Sequence, residues 1–71
     1  MNYIIIEAQT SNGSTAIVTP IPVYGDRIEA EAVFLEKCSY ARLSGLNTHT
    51  VVWMDQEGNQ IARKVFHGTQ A

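Results

Sequence analysis

The sequence predicts an α+β fold, a four-stranded antiparallel sheet with one helix packed on a face, in the order ββαββ. Three observations carry this. A single uninterrupted helical pattern runs from Asp26 to Ser44, and four short runs with strand-like alternation lie two on each side of it. Within each pair the runs are joined by a tight turn, Ser11-Asn12-Gly13-Ser14 in the first and Glu57-Gly58-Asn59 in the second, so each pair reads as a hairpin. One domain over residues 1–71 follows, with strands over 3–10, 16–24, 49–56 and 60–67 and the helix over 26–44.

The first strand, YIIIEAQT, is rich in β-branched residues and puts Ile4, Ile6 and Ala8 on one face and Tyr3, Ile5, Glu7 and Gln9 on the other. Apolar residues on both faces mark it as central. The second run, AIVTPIPVY, contains Pro20 and Pro22, which cannot donate ladder hydrogen bonds. It is therefore an edge strand or leaves the sheet after Thr19, and Thr19 to Val23 reads as a semi-rigid arm able to reach another subunit. Asp26 followed by Glu29 is a capping-box pattern, and Gly45 stops the helix. After the loop from Gly45 to Thr48, HTVVWMDQ places His49, Val51 and Trp53 opposite Thr50, Val52 and Met54, and QIARKVFH places Ile61, Arg63, Val65 and His67 opposite Ala62, Lys64 and Phe66. The tail from Gly68 to Ala71 reads as frayed.

At 71 residues the chain is near the lower limit for a self-sufficient core. The helix carries an apolar arc of roughly 220°, against the stripe of little more than 100° that one sheet covers. One helix also leaves the second sheet face bare. Either the sheet curls strongly round the helix or the excess is packed against a partner, and of the two a homo-oligomer is expected. Glu31 and Arg42 lie inside the apolar arc, too far apart to pair within one helix. An antiparallel two-fold pairing of helices would set each against the other's copy, with Phe34, Leu35 and Cys38 between them. The expected interface is thus Glu31, Phe34, Leu35, Cys38 and Arg42.

Charge and composition exclude several classes. A formal charge of -2 with five scattered basic residues argues against general nucleic-acid binding. No run is long and apolar enough for a membrane helix. A lone Cys38 and no recognisable leader predict a cytoplasmic protein, in the host cell if the gene belongs to a phage. Cys38, His49 and His67 lack metal-ligand spacing, so neither metal nor cofactor is expected. Ser39 or Ser44 could be combined with a His and an Asp, but no nucleophile elbow frames them, and no enzyme activity is predicted. As a ligand surface, the sequence offers His49, Trp53, Arg63 and His67, with Tyr3 on the next strand. An aromatic platform with an Arg fork would suit a nucleotide.

The opening YIIIEAQT, the helix start Asp26-Arg27 with Ala30-Glu31, the approach from Ser44 to His49, the Asp55-Gln56-Glu57-Gly58 turn and the Phe66-His67 pair together resemble short uncharacterised proteins encoded by phages and prophages of Gram-positive gut bacteria. The Pro20 and Pro22 segment and the bulky second half of the helix depart from that pattern. The resemblance implies a phage gene, and no catalytic residues carry over from it. Two roles fit it: a counter-defence protein that sequesters a host signalling nucleotide or blocks a host immune protein, or a minor virion or assembly protein.

Overall fold

The computed structural model describes residues 1–68. It is an α+β arrangement of five strands and one helix: β1 (Tyr3–Ser11), β2 (Ser14–Ile17), β3 (Val23–Tyr24), α1 (Arg27–Leu43), β4 (Thr48–Asp55) and β5 (Gln60–Phe66). The strand order is β2-β1-β4-β5, with β3 pairing β1, and all pairings are antiparallel. β1 is central as its sequence requires, held along its length by β4 from Tyr3↔Asp55 to Thr10↔Thr48.

The strand expected over 16–24 is divided. β2 covers Ser11 to Ala8 of β1 and β3 covers Ile4 and Tyr3, so two short strands share one edge of β1. The break falls at Pro20 and Pro22, whose missing amides cannot join the ladder, and the Thr19-Pro20 bond is cis. Val18 N–H still donates to Glu7 O (2.8 Å) and Ile5 N–H to Pro22 O (3.3 Å). The segment therefore folds back on its own β1 and is not a free arm.

Asn12 (φ 53°) and Gly13 (φ 82°) supply the two left-handed residues of the first hairpin turn. Asp26 caps α1 by accepting from Ile28 N–H (3.1 Å), with Glu29 in the first turn, and Ser44 caps the other end. Gly68, the last described residue, is tied down by donating to Leu46 O (2.7 Å). The rest of the expected frayed tail, 69–71, lies outside the described residues.

Register sorts the sheet into two faces, because directly paired residues point to the same side. Toward α1 point Tyr3, Ile5 and Glu7 of β1, His49, Val51 and Trp53 of β4, and Ala62, Lys64 and Phe66 of β5. β4 alternates strictly, its inward residues buried and its outward ones half-buried. The core is Ile5, Val51 and Trp53 of the sheet under Ala30, Phe34 and Ala41 of the helix. On the other face half-buried Ile4, Ile6, Val52 and Met54 lie side by side with exposed Ile17, Val23 and Val65, and among the described residues no helix or second sheet lies over them.

Candidate functional site

The residues expected to form one ligand surface are separated by this register. Trp53 stands opposite Ala62, whereas Arg63 stands opposite Val52 and so points to the uncovered face. A bulge at Trp53/Met54 sets this: Met54 pairs with Gln60, leaving Ile61 as the extra residue, which turns in to pack against the core. Tyr3 and Trp53 do meet, with ring centroids 6.4 Å apart and planes at 62°, but under the helix. Phe34 closes the third side at 5.9 Å, and the guanidinium of Arg27 lies 5.3 Å from the Trp53 centroid. The Arg on Trp53 is thus Arg27, from the first turn of α1. Trp53 is buried, and among the described residues its Nε1 has no hydrogen-bond partner. His67 is exposed beyond the end of β5. These positions do not offer a stacking platform open to a nucleotide.

His49 is also buried, in a polar cluster that sequence spacing does not reveal. Its Nε2 is 2.6 Å from Glu7 Oε2, its Nδ1 is 3.0 Å from Ser44 Oγ, and Lys37 Nζ is 3.3 Å from Glu7 Oε1. The cluster links β1, β4 and the C-terminal half of α1 with its cap. A carboxylate only accepts, so Nε2 carries a proton and donates to Glu7. The Ser44 hydroxyl then donates either to Nδ1 or to Ala41 O, 2.9 Å away. The only sequence signal for this cluster was a polar Glu7 on an inward-facing strand position.

A serine, a histidine and a carboxylate in line invite comparison with a hydrolytic triad. The surroundings argue against one. Ser44 caps the C-terminal end of α1, where free carbonyls gather, and an oxyanion forming there would face the negative end of the helix dipole. A nucleophile of this kind needs amide donors around it. The cluster is better understood as a polar pin fastening the end of α1 to the sheet.

Asp55 organises the second hairpin. Its Oδ1 accepts from the amides of Glu57 and Asn59, both at 2.9 Å, and its Oδ2 from the Asn59 side chain at 3.1 Å. Desolvation raises its carboxyl pKa, but the bonds from the Asn59 side chain and the turn amides outweigh it, and the group lies below its ordinary 3.8.

Two apolar surfaces stand out among the described residues. One is the bare sheet face. The other is the outer side of α1, where Ile28, Leu35 and Leu43 are 75%, 59% and 81% exposed. Beside it a groove of about 440 Å³ runs between α1 and β5, with Leu35, Cys38 and Phe66 in its walls and Arg42 and Lys64 at its rim. Of the residues expected at an interface, Phe34 is in the core and Cys38 is half-buried, while Glu31, Leu35 and Arg42 are exposed. Among the described residues no group of His, Cys, Asp and Glu is placed to hold a metal, and no helix is long and apolar enough to cross a membrane. Comparison with protein-family models, curated proteins and solved structures gives no match for this chain.

Proposed function

We propose that this protein acts by occupancy, as a phage-encoded counter-defence protein that blocks a host immune protein by docking the uncovered face of its sheet onto it. The observation that carries this reading is that face itself. Ile4, Ile6, Val52 and Met54 form its centre, Ile17, Val23 and Val65 its margin, and Arg63 is its one charged residue. A contiguous apolar surface of this kind on a small chain marks a protein contact, because water leaves it at a gain of roughly 25 cal/mol per Å². Resemblance to short phage and prophage proteins supplies the setting. Protein blocking is preferred to nucleotide sequestration because Trp53, Tyr3 and His49 lie beneath α1.

The test is a double variant, Ile6→Lys with Val52→Lys, compared with wild type in infected host cells and then with purified captured protein. The wild type is expected to bind and inhibit one host defence protein, and the variant to lose both while keeping its circular dichroism. A variant that still binds and inhibits would remove the sheet face from the proposal. Recovery of the wild type in purified virions, with no host protein bound, would favour instead a minor virion or assembly role, for which two uncovered apolar surfaces on one small chain also speak.

A further inference from the structure

Ile28, Leu35 and Leu43 share one side of α1 with the small residues Ala32 and Ser39 between them, at successive spacings of four, three, four and four residues. Stepped at about 100° per residue, the centre of this stripe lies about 160° from the centre of the side formed by Ala30, Phe34 and Ala41, which packs on the sheet. It faces away from the body of the protein. All five stripe residues are exposed.

We infer that this stripe binds a second copy of the same chain, helix against helix, antiparallel about a two-fold axis passing between residues 35 and 36. What selects this occupant is that the apolar positions of the stripe pair with one another, while Glu36, exposed on the opposite flank at the level of the axis, faces its own copy at the solvent edge of the contact. In that arrangement Ile28 meets the partner's Leu43 at each end, Ala32 meets the partner's Ser39, and the two Leu35 side chains meet at the axis. Small residues either side of the central leucines let the helices approach closely. Glu31 and Arg42 lie on the same flank of the stripe, and in antiparallel packing that flank faces its own copy. Each Glu31 then lies within about 3 Å, along the axis, of the level of the partner's Arg42, well inside the reach of an arginine. Among the described residues neither Glu31, Arg42 nor the neighbouring Lys64 has an ion-pair partner. Arg42 and Lys64 at the groove rim present positive charge where the partner's Glu31 arrives.

The two-fold axis is shifted by one residue from the one expected from the sequence, which lay between Glu36 and Lys37 and set Glu31 level with Arg42. Phe34 leaves the interface because it is in the core, and Cys38 moves to its margin. The bare sheet faces lie on the far sides of the two copies. The dimer therefore does not depend on the proposed function, but if both hold, one dimer presents two docking faces directed away from each other.

Sedimentation equilibrium from 1 to about 500 μM tests it. The wild type is expected to associate reversibly to a dimer. Leu35→Glu, at an exposed position, should give a folded monomer. Glu31→Arg and Arg42→Glu should each weaken the dimer by roughly tenfold, and the double variant carrying both should recover most of that loss. A wild type monomeric throughout the range would overturn the inference. So would a dimer that survives Leu35→Glu but is lost in Ile6→Lys with Val52→Lys, since the chain would then be associating through its sheet. If Leu35→Glu does not fold, the charge exchange decides: no recovery in the double variant rejects the antiparallel register.

Discussion

His49 Nε2 and Glu7 Oε2 stand 2.6 Å apart, and both residues project from the sheet beneath the last turns of α1. Glu7 also receives Lys37, so one carboxylate holds a strand and a helix together. Glu7→Ala leaves a buried imidazole and an ammonium without their acceptor and is expected to cost roughly 2 kcal/mol. Ser44→Ala removes a hydroxyl that touches the ring, Ala41 O and Leu46 N–H but carries no charge, and should cost about 1 kcal/mol. Urea unfolding of the two variants checks both values, and equal losses would contradict the central place given to Glu7.

Asp55 makes stability depend on acid in a defined direction. Its carboxyl is held below 3.8 in the folded chain, so folding releases its proton. The contribution of the turn is fully present above the unfolded value, near pH 4, and fades as pH falls through the lower folded value. Asp55→Asn should lower stability at pH 7 and approach wild type at pH 2, as measured by urea midpoints across that range. A difference independent of pH would mean that the turn bonds do not act through the carboxylate.

Cys38 should be slow to alkylate. Desolvation raises its thiol pKa, and Lys64 opposes that effect. Iodoacetamide at pH 8 is expected to react more slowly than with the unfolded chain, and more slowly still in Lys64→Ala, which keeps less thiolate. Faster reaction in Lys64→Ala would show that the lysine shields the thiol sterically.

The aromatic nest predicts a different response from each of its members. Trp53→Ala empties the centre of the core and should cost about 3–5 kcal/mol. Arg27→Ala should cost only about 0.5–1 kcal/mol while changing the tryptophan fluorescence, since the guanidinium lies over the ring. Nucleotides added to the folded wild type should leave that fluorescence unchanged. Quenching by a nucleotide would mean that α1 lifts from the sheet.

Much of the fold is legible because local chemistry and tertiary packing agree. Asp26, Gly45, Asn12-Gly13 and the alternation in β4 each act within a few residues, and each element forms close to where they place it. What was hidden depends on pairing across strands. A single bulged residue, Ile61, reverses the side to which Arg63 points relative to Trp53, and nothing in QIARKVFH marks that bulge. Likewise Glu7 and His49 are 42 positions apart in the chain and become neighbours only once β1 and β4 align. The excess apolar arc of the helix was legible in amount; Phe34 facing the sheet while Leu35 faces outward shows how it is divided.

The interrupted edge at Pro20 and Pro22 bears on how this molecule can grow. A sheet that ends in a continuous strand offers its free amides to any other strand, and such additions repeat without limit. Here the β2–β3 side is broken by two residues that have no amide hydrogen, and the β5 side carries Arg63 and Lys64 in mid-strand. Both borders are thereby made poor templates for strand addition. The proposed two-fold contact between helices is of the other kind: it is satisfied by one partner and then stops.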